Sequence, residues 1–161
     1  PPTKSVSWEG IKDTTHFGPM CYQEGEGNFS EDCLSLNIWA PDHSKKEKLP
    51  VYVFIHGGGY TLGSGSQPLY EGTQLAKSGI IVVTINYRLN TLGFFPSQAA
   101  YEQYSTTGNW AILDMICALE WVRDNIHAFG GDPTRVTIGG ESAGSFSVSA
   151  LISSPKAKGA C

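Results

Sequence analysis

The residues best suited to chemistry lie in the segment TIGGESAGSFSV, at positions 137–148. Residues 140–144 of this segment fit the pattern G-x-S-x-G, with Ser142 at the centre. The β-branched run before the pattern predicts a strand, and the apolar run after it predicts a helix. A serine on a tight turn between a strand and a helix can act as a nucleophile, because the N–H groups at the start of the helix can stabilise a developing oxyanion. Without that setting, these five residues more often form an ordinary turn than a nucleophile site.

A second segment, IHGGGYTLGS at 55–64, follows another predicted strand. Its three consecutive glycines, 57–59, leave backbone N–H groups uncovered by side chains, so that a substrate oxygen can approach closely. Such a loop can form an oxyanion hole together with the N–H of the residue after the nucleophile. The alternatives are a flexible glycine turn and a phosphate-binding loop; the second is disfavoured because the Gly-Lys-Ser/Thr ending is absent.

A serine nucleophile also needs a base, and the four histidines of the chain all precede Ser142. His56 begins the glycine segment, His127 ends the longest predicted helix, and His16 and His43 fall in predicted loops. Where a nucleophile sits on this kind of turn, the triad acid and histidine follow it along the chain. No Asp, Glu or His follows Ser142. We therefore expect all four histidines to be structural or solvated, and the base to lie outside these residues.

Strands and helices alternate along the chain. The segment 34–40 alternates apolar and polar residues, as a half-exposed strand does. The segments 50–56 and 80–87 are nearly continuous apolar runs, which predicts strands covered on both faces. With a strand at 134–140 and helices at 69–79, 107–131 and 143–154, this order predicts an α/β fold with a mostly parallel sheet after the opening strands.

The longest predicted helix, 107–131, is apolar on two sides. One side has helical spacing and comprises Ile112, Met115, Ile116, Leu119, Val122 and Ile126. Trp110, Leu113, Cys117 and Trp121 gather on the other. A helix of this kind should be covered on both sides.

Composition excludes several classes of function. The chain has 161 residues, 40% of them hydrophobic and 16% charged, which fits one globular domain or part of a larger one. A net charge of -4 disfavours a nucleic-acid partner. No run approaches the roughly 20 apolar residues of a membrane span, and the first ten residues are unlike a signal peptide. The cluster SKKEK at 44–48 predicts a solvated loop, and neither a metal site nor a cofactor is expected.

Six segments together resemble the N-terminal part of a type-B carboxylesterase, in the cholinesterase-like branch of the α/β-hydrolases. They are GPMCYQ (18–23), SEDCLSLNIWAP (30–41), VFIHGGGY (53–60), VVTINYRL (82–89), GNWAILDMICALEWVRDNI (108–126) and FGGDPTRVTIGGESAG (129–144). The resemblance implies that 1–161 is the N-terminal portion of one α/β-hydrolase domain, with helices on both faces of its sheet. It also implies that family sequence is missing at both ends.

The resemblance assigns roles to the two glycine-rich segments. Ser142 would be the catalytic nucleophile, and Gly58, Gly59 and Ala143 would supply the N–H groups of the oxyanion hole. Glu141 matches the family's acid beside the nucleophile, which shapes local charge and holds water. The other interpretation of Glu141 is a satisfied buried carboxylate.

The resemblance also pairs Cys21 with Cys33 in a disulfide, which would contribute about 3 kcal/mol by restricting the unfolded chain. A disulfide indicates an oxidising compartment, so secretion or the secretory pathway is expected. Asn28, inside the same loop, begins an N-F-S glycosylation sequon. Cys117 is predicted to be a buried thiol, and the partner of Cys161 stays open.

The same loop bears on the substrate. In choline-binding members of the family it carries a tryptophan for the cationic ammonium, whereas here its aromatic residues are Tyr22 and Phe29. A small neutral carboxylic ester is therefore the expected substrate. The alternatives are a non-catalytic binding or adhesion protein, whose relatives typically lose the serine, and an inactive fragment or a chain that a second polypeptide completes.

Overall fold

The computed structural model describes residues 1–42 and 48–160. Its strands are β1 (Met20–Cys21), β2 (Phe29–Ser30), β3 (Leu36–Trp39), β4 (Leu49–Ile55), β5 (Ile81–Ile85) and β6 (Gly131–Gly140). The last four form the central sheet in the order β3-β5-β4-β6. The first of these, β3, runs antiparallel to β5, whereas β4 pairs parallel with both β5 and β6. The predicted α/β fold with a mostly parallel sheet is confirmed. The predictions for His43, for residues 44–47 and for Cys161 lie outside the described residues.

The central strands differ in how fully they are covered. All five residues of β5 are buried, as its continuous apolar sequence predicts. In β4 only alternate residues are buried, and Tyr52 and Phe54 on the other face are half-buried. The prediction that β4 is covered on both faces is therefore wrong for that second face, where Phe54 packs on Tyr70 with ring centroids 4.7 Å apart.

The helices are α1 (Thr73–Ala76), α2 (Asn90–Phe94), α3 (Gln98–Tyr104), α4 (Trp110–Asn125) and α5 (Ala143–Ser153). The helix predicted at 69–79 is instead a 3-10 turn, Pro68–Tyr70, followed by the single turn of α1. The short helices α2 and α3 were not predicted. The longest helix is shorter than its predicted span of 107–131: it continues as a 3-10 turn at Ile126–Phe129, and Gly130 ends that turn with φ of 85°.

Helix α4 covers one face of the sheet. Its inner side is buried against the sheet through Met115, Ile116, Leu119 and Val122. The second apolar side is half-buried, and its Cys117 is half-buried as well rather than the buried thiol that the sequence predicts. In the described ranges, no helix combines the length and the apolar character needed to cross a bilayer.

A small disulfide-linked segment, which includes β1, β2 and the Cys21–Cys33 bond and is called the disulfide unit, precedes the central sheet. Strands β1 and β2 pair in parallel, and Cys21 and Cys33 form a disulfide with their Cα atoms 4.9 Å apart. The carboxamide of Asn86, just after β5, donates to the backbone oxygens of Pro19 and Cys33 at 3.2 and 3.0 Å. These bonds attach the disulfide unit to the carboxyl end of β5, and parallel α/β sheets typically bind ligands beyond that end of their strands.

Candidate active site

Ser142 lies on the turn between β6, which ends at Gly140, and α5, which begins at Ala143. Its φ is 51° and its ψ is -121°, a conformation that costs a non-glycine residue on the order of 1–3 kcal/mol. The N–H groups of Ser145 and Phe146 donate to the Ser142 carbonyl at 2.9 and 3.2 Å, so the first turn of α5 holds this backbone in place. The serine side chain is exposed. The strained turn therefore presents Ser142 at the start of a helix.

The turn requires glycine where it meets the end of β4. A Cβ atom on Gly144 would overlap the carbonyl oxygen of Ile55, and one on Gly140 would lie 2.9 Å from the same oxygen. Glycine at these positions lets helix α5 pack directly on the strand that leads into the triple glycine. The two segments singled out in the sequence are thereby brought side by side.

We call residues 57–63 the glycine loop. A Cβ atom on Gly57 would lie 2.5 Å from Glu141 Oε2 and 3.0 Å from the Cβ of Ser142. Only a residue without a side chain allows the loop to approach the serine this closely. Glu141 itself is exposed, so its interpretation as a buried carboxylate is wrong.

The direction of the Gly58 N–H is set by a hydrogen bond on the preceding carbonyl. The imidazole of His56 donates from Nδ1 to the carbonyl oxygen of Gly57 at 2.8 Å. In a trans peptide the C=O and the following N–H point in opposite directions, and the described chain contains no cis bond. Holding the Gly57 carbonyl therefore holds the Gly58 N–H on the other side of the same plane.

The next peptide plane is held by three hydrogen bonds. The carbonyl of Gly58 accepts from the N–H groups of Thr61 and Leu62 at 3.0 and 3.1 Å, and from Thr61 Oγ1 at 3.1 Å. These bonds fix the opposite side of the plane, which carries the N–H of Gly59. Two successive N–H groups are thus oriented in advance, which is the property that makes an oxyanion hole effective.

The sequence profile of the Carboxylesterase family matches residues 1–161. The chain belongs to the carboxylesterase family. It is 49% identical over 162 residues to the para-nitrobenzyl esterase of Bacillus subtilis (strain 168), covering 94% of this chain and 32% of that protein. It is 46% identical over 177 residues to carboxylesterase 1D of Rattus norvegicus, covering 98% of this chain and 30% of that protein.

Solved structures of the family share the fold. A structure of PNB esterase has a TM-score of 0.88 at 50% identity, covering 95% of this chain and 32% of that one. The Geobacillus stearothermophilus carboxylesterase EST55 has a TM-score of 0.89 at 49% identity, with the same coverage. The resemblance and the α/β-hydrolase fold are confirmed. The chain spans about a third of the length of these relatives, with 32% of the Bacillus enzyme covered.

His56 is not placed to act as a base for Ser142. Because its Nδ1 donates to a carbonyl, the ring carries its proton there and presents a lone pair at Nε2. The residue is 1% exposed, and within the described part of the chain nothing donates to Nε2. Burial lowers the pKa of the imidazole to about 4, since a charged ring here would be poorly solvated. His56 is structural, as the sequence predicts.

The other described histidines are remote or solvated. His127 is exposed in the turn that precedes β6, whereas Ser142 follows the far end of that strand. The pairing of Gly131 with Leu49 and of Gly140 with Ile55 separates these two ends by about 20 Å at 3.3 Å per strand residue. His16 is exposed in the N-terminal segment, before β1. Among the described residues, no histidine is hydrogen-bonded to the Ser142 hydroxyl.

Sequence reasoning missed the side chains that brace the glycine loop. Asn90 donates from its carboxamide to the carbonyl of Thr61 at 2.9 Å, and its N–H donates to the carbonyl of Tyr60 at the same distance. Ser147, on the buried side of α5, lies 3.1 Å from the hydroxyl of Tyr60. Tyr60 ends the segment VFIHGGGY and Asn90 directly follows the segment VVTINYRL, but the partners of both residues lie too far along the chain to leave a local signal.

A buried ion pair holds the segment after β5. Asp114 on α4 is 3% exposed and accepts two bonds from the guanidinium of Arg88, at 2.8 and 2.6 Å. A third bond, from the Arg88 N–H, reaches the same carboxylate at 3.1 Å. Both oxygens of the buried carboxylate are thereby hydrogen-bonded, one to the guanidinium and the other to the guanidinium and the Arg88 N–H. The pair fixes the chain that leads to Asn90.

Proposed function

We propose that this protein is a serine carboxylesterase that hydrolyses small neutral carboxylic esters through an acyl-enzyme on Ser142. The observation that carries the proposal is the contact between the strained Ser142 turn and the glycine loop, where a Cβ on Gly57 would lie 3.0 Å from the serine Cβ. Relatives named para-nitrobenzyl esterase and carboxylesterase 1D support it. The activity is stated as a proposal because this chain spans only about a third of the length of those proteins.

In the proposed reaction, Ser142 Oγ attacks the ester carbonyl carbon and passes its proton to a histidine outside residues 1–161. The carbonyl oxygen becomes an oxyanion, which accepts hydrogen bonds from the N–H groups of Gly58, Gly59 and Ala143. Collapse of this intermediate breaks the bond to the alkoxy oxygen, which leaves as the alcohol after taking the proton from the histidine. Water then attacks the acyl-enzyme by the same steps and releases the acid.

The carboxylate of Glu141 and the aromatic residues of the disulfide loop would influence this reaction. The carboxylate of Glu141 lies beside the glycine loop, where it would set the local charge and hold the water that enters after acylation. The aromatic side chains of the disulfide loop, Tyr22 and Phe29, include no tryptophan to bind a quaternary ammonium, which favours a neutral ester. A panel of esters would identify the acyl and alcohol groups that the site binds best.

A decisive experiment uses the complete natural protein that contains residues 1–161. A fluorophosphonate should label Ser142 alone, and p-nitrophenyl acetate should be hydrolysed. Ser142→Ala should abolish both, whereas Ser149→Ala, a change to an exposed serine on the same helix, should alter neither. Labelling that persists in Ser142→Ala would refute the assignment.

We further propose that the protein folds in an oxidising compartment and follows the secretory pathway. The disulfide between Cys21 and Cys33 supports this proposal. So does the exposure of Asn28, the acceptor residue of the sequon.

A further inference from the structure

One glutamine side chain connects the disulfide unit to the glycine loop. Gln23 donates from Nε2 to the carbonyl oxygen of Gly63 at 2.9 Å, and its Oε1 accepts from the N–H of the same glycine at 2.8 Å. The same Nε2 also donates to the carbonyl of Cys21 at 3.0 Å. A half-buried side chain therefore holds both backbone groups of a residue 40 positions further along the chain.

The hydrogen-bond partners fix the orientation of this carboxamide. Both Nε2 protons face carbonyl oxygens, and Oε1 faces an N–H group, so exchanging the two ends would place like groups against each other. The near end is anchored because Cys21 is tied to Cys33 by the disulfide. Gln23 is therefore a rigid support for Gly63 rather than a flexible surface side chain.

Gly63 in turn lies against the imidazole of His56. A Cβ atom on Gly63 would lie 2.5 Å from Nδ1 and 3.0 Å from Cε1 of that ring. The φ of Gly63 is 113°, a value that favours glycine. The ring also stacks on Tyr87, with centroids 4.3 Å apart. Gly63 thus limits how far the Nδ1 edge of the imidazole can move.

From these contacts we infer that Gln23 is a positioning residue for the oxyanion hole. It holds Gly63, Gly63 confines the imidazole of His56, and that imidazole holds the Gly57 carbonyl whose peptide plane carries the Gly58 N–H. This inference rests on the proposed esterase function. When the Gln23 bonds are absent, Gly63 can shift, and the Gly58 donor turns away from the developing oxyanion while Ser142 stays in place.

The test compares Gln23→Met and Gln23→Glu in the complete natural protein. Methionine keeps the length of the side chain and removes all three hydrogen bonds, whereas glutamate keeps an acceptor for the Gly63 N–H and loses both donors. The matched control is Gln98→Ala on α3, an exposed glutamine that donates to Glu102. Reactive sites are counted with a p-nitrophenyl phosphate triester, which releases one nitrophenolate per reactive serine, so that kcat is expressed per titrated site.

We expect kcat per titrated site for p-nitrophenyl acetate to fall about tenfold in Gln23→Met and less in Gln23→Glu, with KM within about twofold. The loss is smaller than the roughly 100-fold cost of deleting a donor, because the donor is displaced and not removed. The Ki of a trifluoromethyl ketone, whose adduct on Ser142 carries an oxyanion, should rise by the same factor by which kcat/KM falls. Gln98→Ala should leave all three quantities unchanged.

Other outcomes separate this inference from the function on which it rests. If the variants lose only titratable sites or thermal stability, and kcat per site is unchanged, Gln23 supports the fold alone and the inference is wrong. A fall in kcat without a matching rise in the ketone Ki would also overturn it. A wild-type protein that neither hydrolyses esters nor reacts at Ser142 would overturn the proposed function and this inference with it.

Discussion

The hydroxyl of Tyr87 donates to the carbonyl oxygen of His56 at 2.8 Å, while the rings of the two residues stack with their centroids 4.3 Å apart. Both residues are at most 1% exposed. Tyr87, in the segment after β5, therefore holds His56, the residue just before the glycine loop, through both the backbone carbonyl and the ring of His56.

Replacing Tyr87 with phenylalanine would keep the stacked ring and remove the donor. The buried His56 carbonyl would lose this hydrogen bond, which we expect to lower the free energy of unfolding by about 1–3 kcal/mol. Urea unfolding of the complete protein measures the loss. The control is Tyr101→Phe, which removes an exposed hydroxyl. Equal stability of both variants and the wild type would contradict the importance of this bond.

The buried imidazole makes stability depend on pH. The pKa of His56 is lowered by burial from 6.5 to about 4. Between about pH 6.5 and pH 4, His56 is protonated in the unfolded chain but neutral in the native state, so the free energy of unfolding rises with pH across this window. Lowering the pH from 7 to 4 should therefore reduce the free energy of unfolding by about 3 kcal/mol through this residue.

His56→Asn keeps a donor near the Nδ1 position and removes the titration. The difference in unfolding free energy between pH 4 and pH 7 should therefore be smaller in this variant than in the wild type. Urea unfolding at several pH values measures it, with His127→Asn, a change to an exposed histidine, as the control. A pH dependence that is identical in wild type and His56→Asn would refute the prediction.

Alanine substitutions at Gly58 and at Gly59, adjacent residues of the glycine loop, should have different effects. At Gly58 φ is 106°, and a Cβ would overlap the carbonyl of Leu62, so the loop must move. We expect Gly58→Ala to lower kcat by about 100-fold or more through misplaced donors. At Gly59 φ is 62° and the nearest atom to a Cβ is 3.8 Å away, so the cost in stability should be only about 1 kcal/mol.

Steady-state kinetics and thermal unfolding of both variants test this contrast. The methyl group of Gly59→Ala would have only an ordinary van der Waals contact, with Thr61 Oγ1 at 3.8 Å, so we expect its main effect to be on substrate binding. Bulkier residues at this position should cut turnover by orders of magnitude through misplaced donors. Wild-type kcat in Gly58→Ala would show that the loop does not supply the oxyanion donors.

The ion pair between Arg88 and Asp114 should contribute to stability through its burial. Asp114→Asn removes the charge from a side chain that is fully buried, and leaves the Arg88 side chain, which is 24% exposed, without its counter-ion. We expect a loss of about 3 kcal/mol. Asp124→Asn, which breaks an exposed pair with Arg123, should cause no measurable change. Similar melting temperatures for the two variants would contradict the prediction.

Asn28 should carry a glycan when the protein passes through a eukaryotic secretory pathway. The residue is exposed, and its carbonyl accepts from the N–H of Met20 at 2.9 Å, which holds the sequon at the surface. An endoglycosidase should reduce the mass of the secreted protein, and Asn28→Gln should abolish that shift. An unchanged wild-type mass after treatment would exclude the modification.

The elements around the candidate site could be predicted because their signals are local. The continuous apolar run of β5 and the pattern around Ser142 each lie within about ten consecutive residues, so their periodicity and glycine content are visible without the fold. Helices α2 and α3 were missed for the opposite reason. They are 5 and 7 residues long, too short to repeat a helical pattern, and tertiary packing stabilises them.

By itself, the sequence determined where the nucleophile turn and the glycine loop lie, and which family they resemble, because both motifs depend on the backbone freedom of neighbouring glycines. Only the tertiary structure decided which side chains hold them. The bonds from Gln23 to Gly63 and from Ser147 to Tyr60 join residues 40 and 87 positions apart. Such pairs leave no mark on either local segment, since a hydrogen bond depends on the distance between atoms in space and not on their separation along the chain.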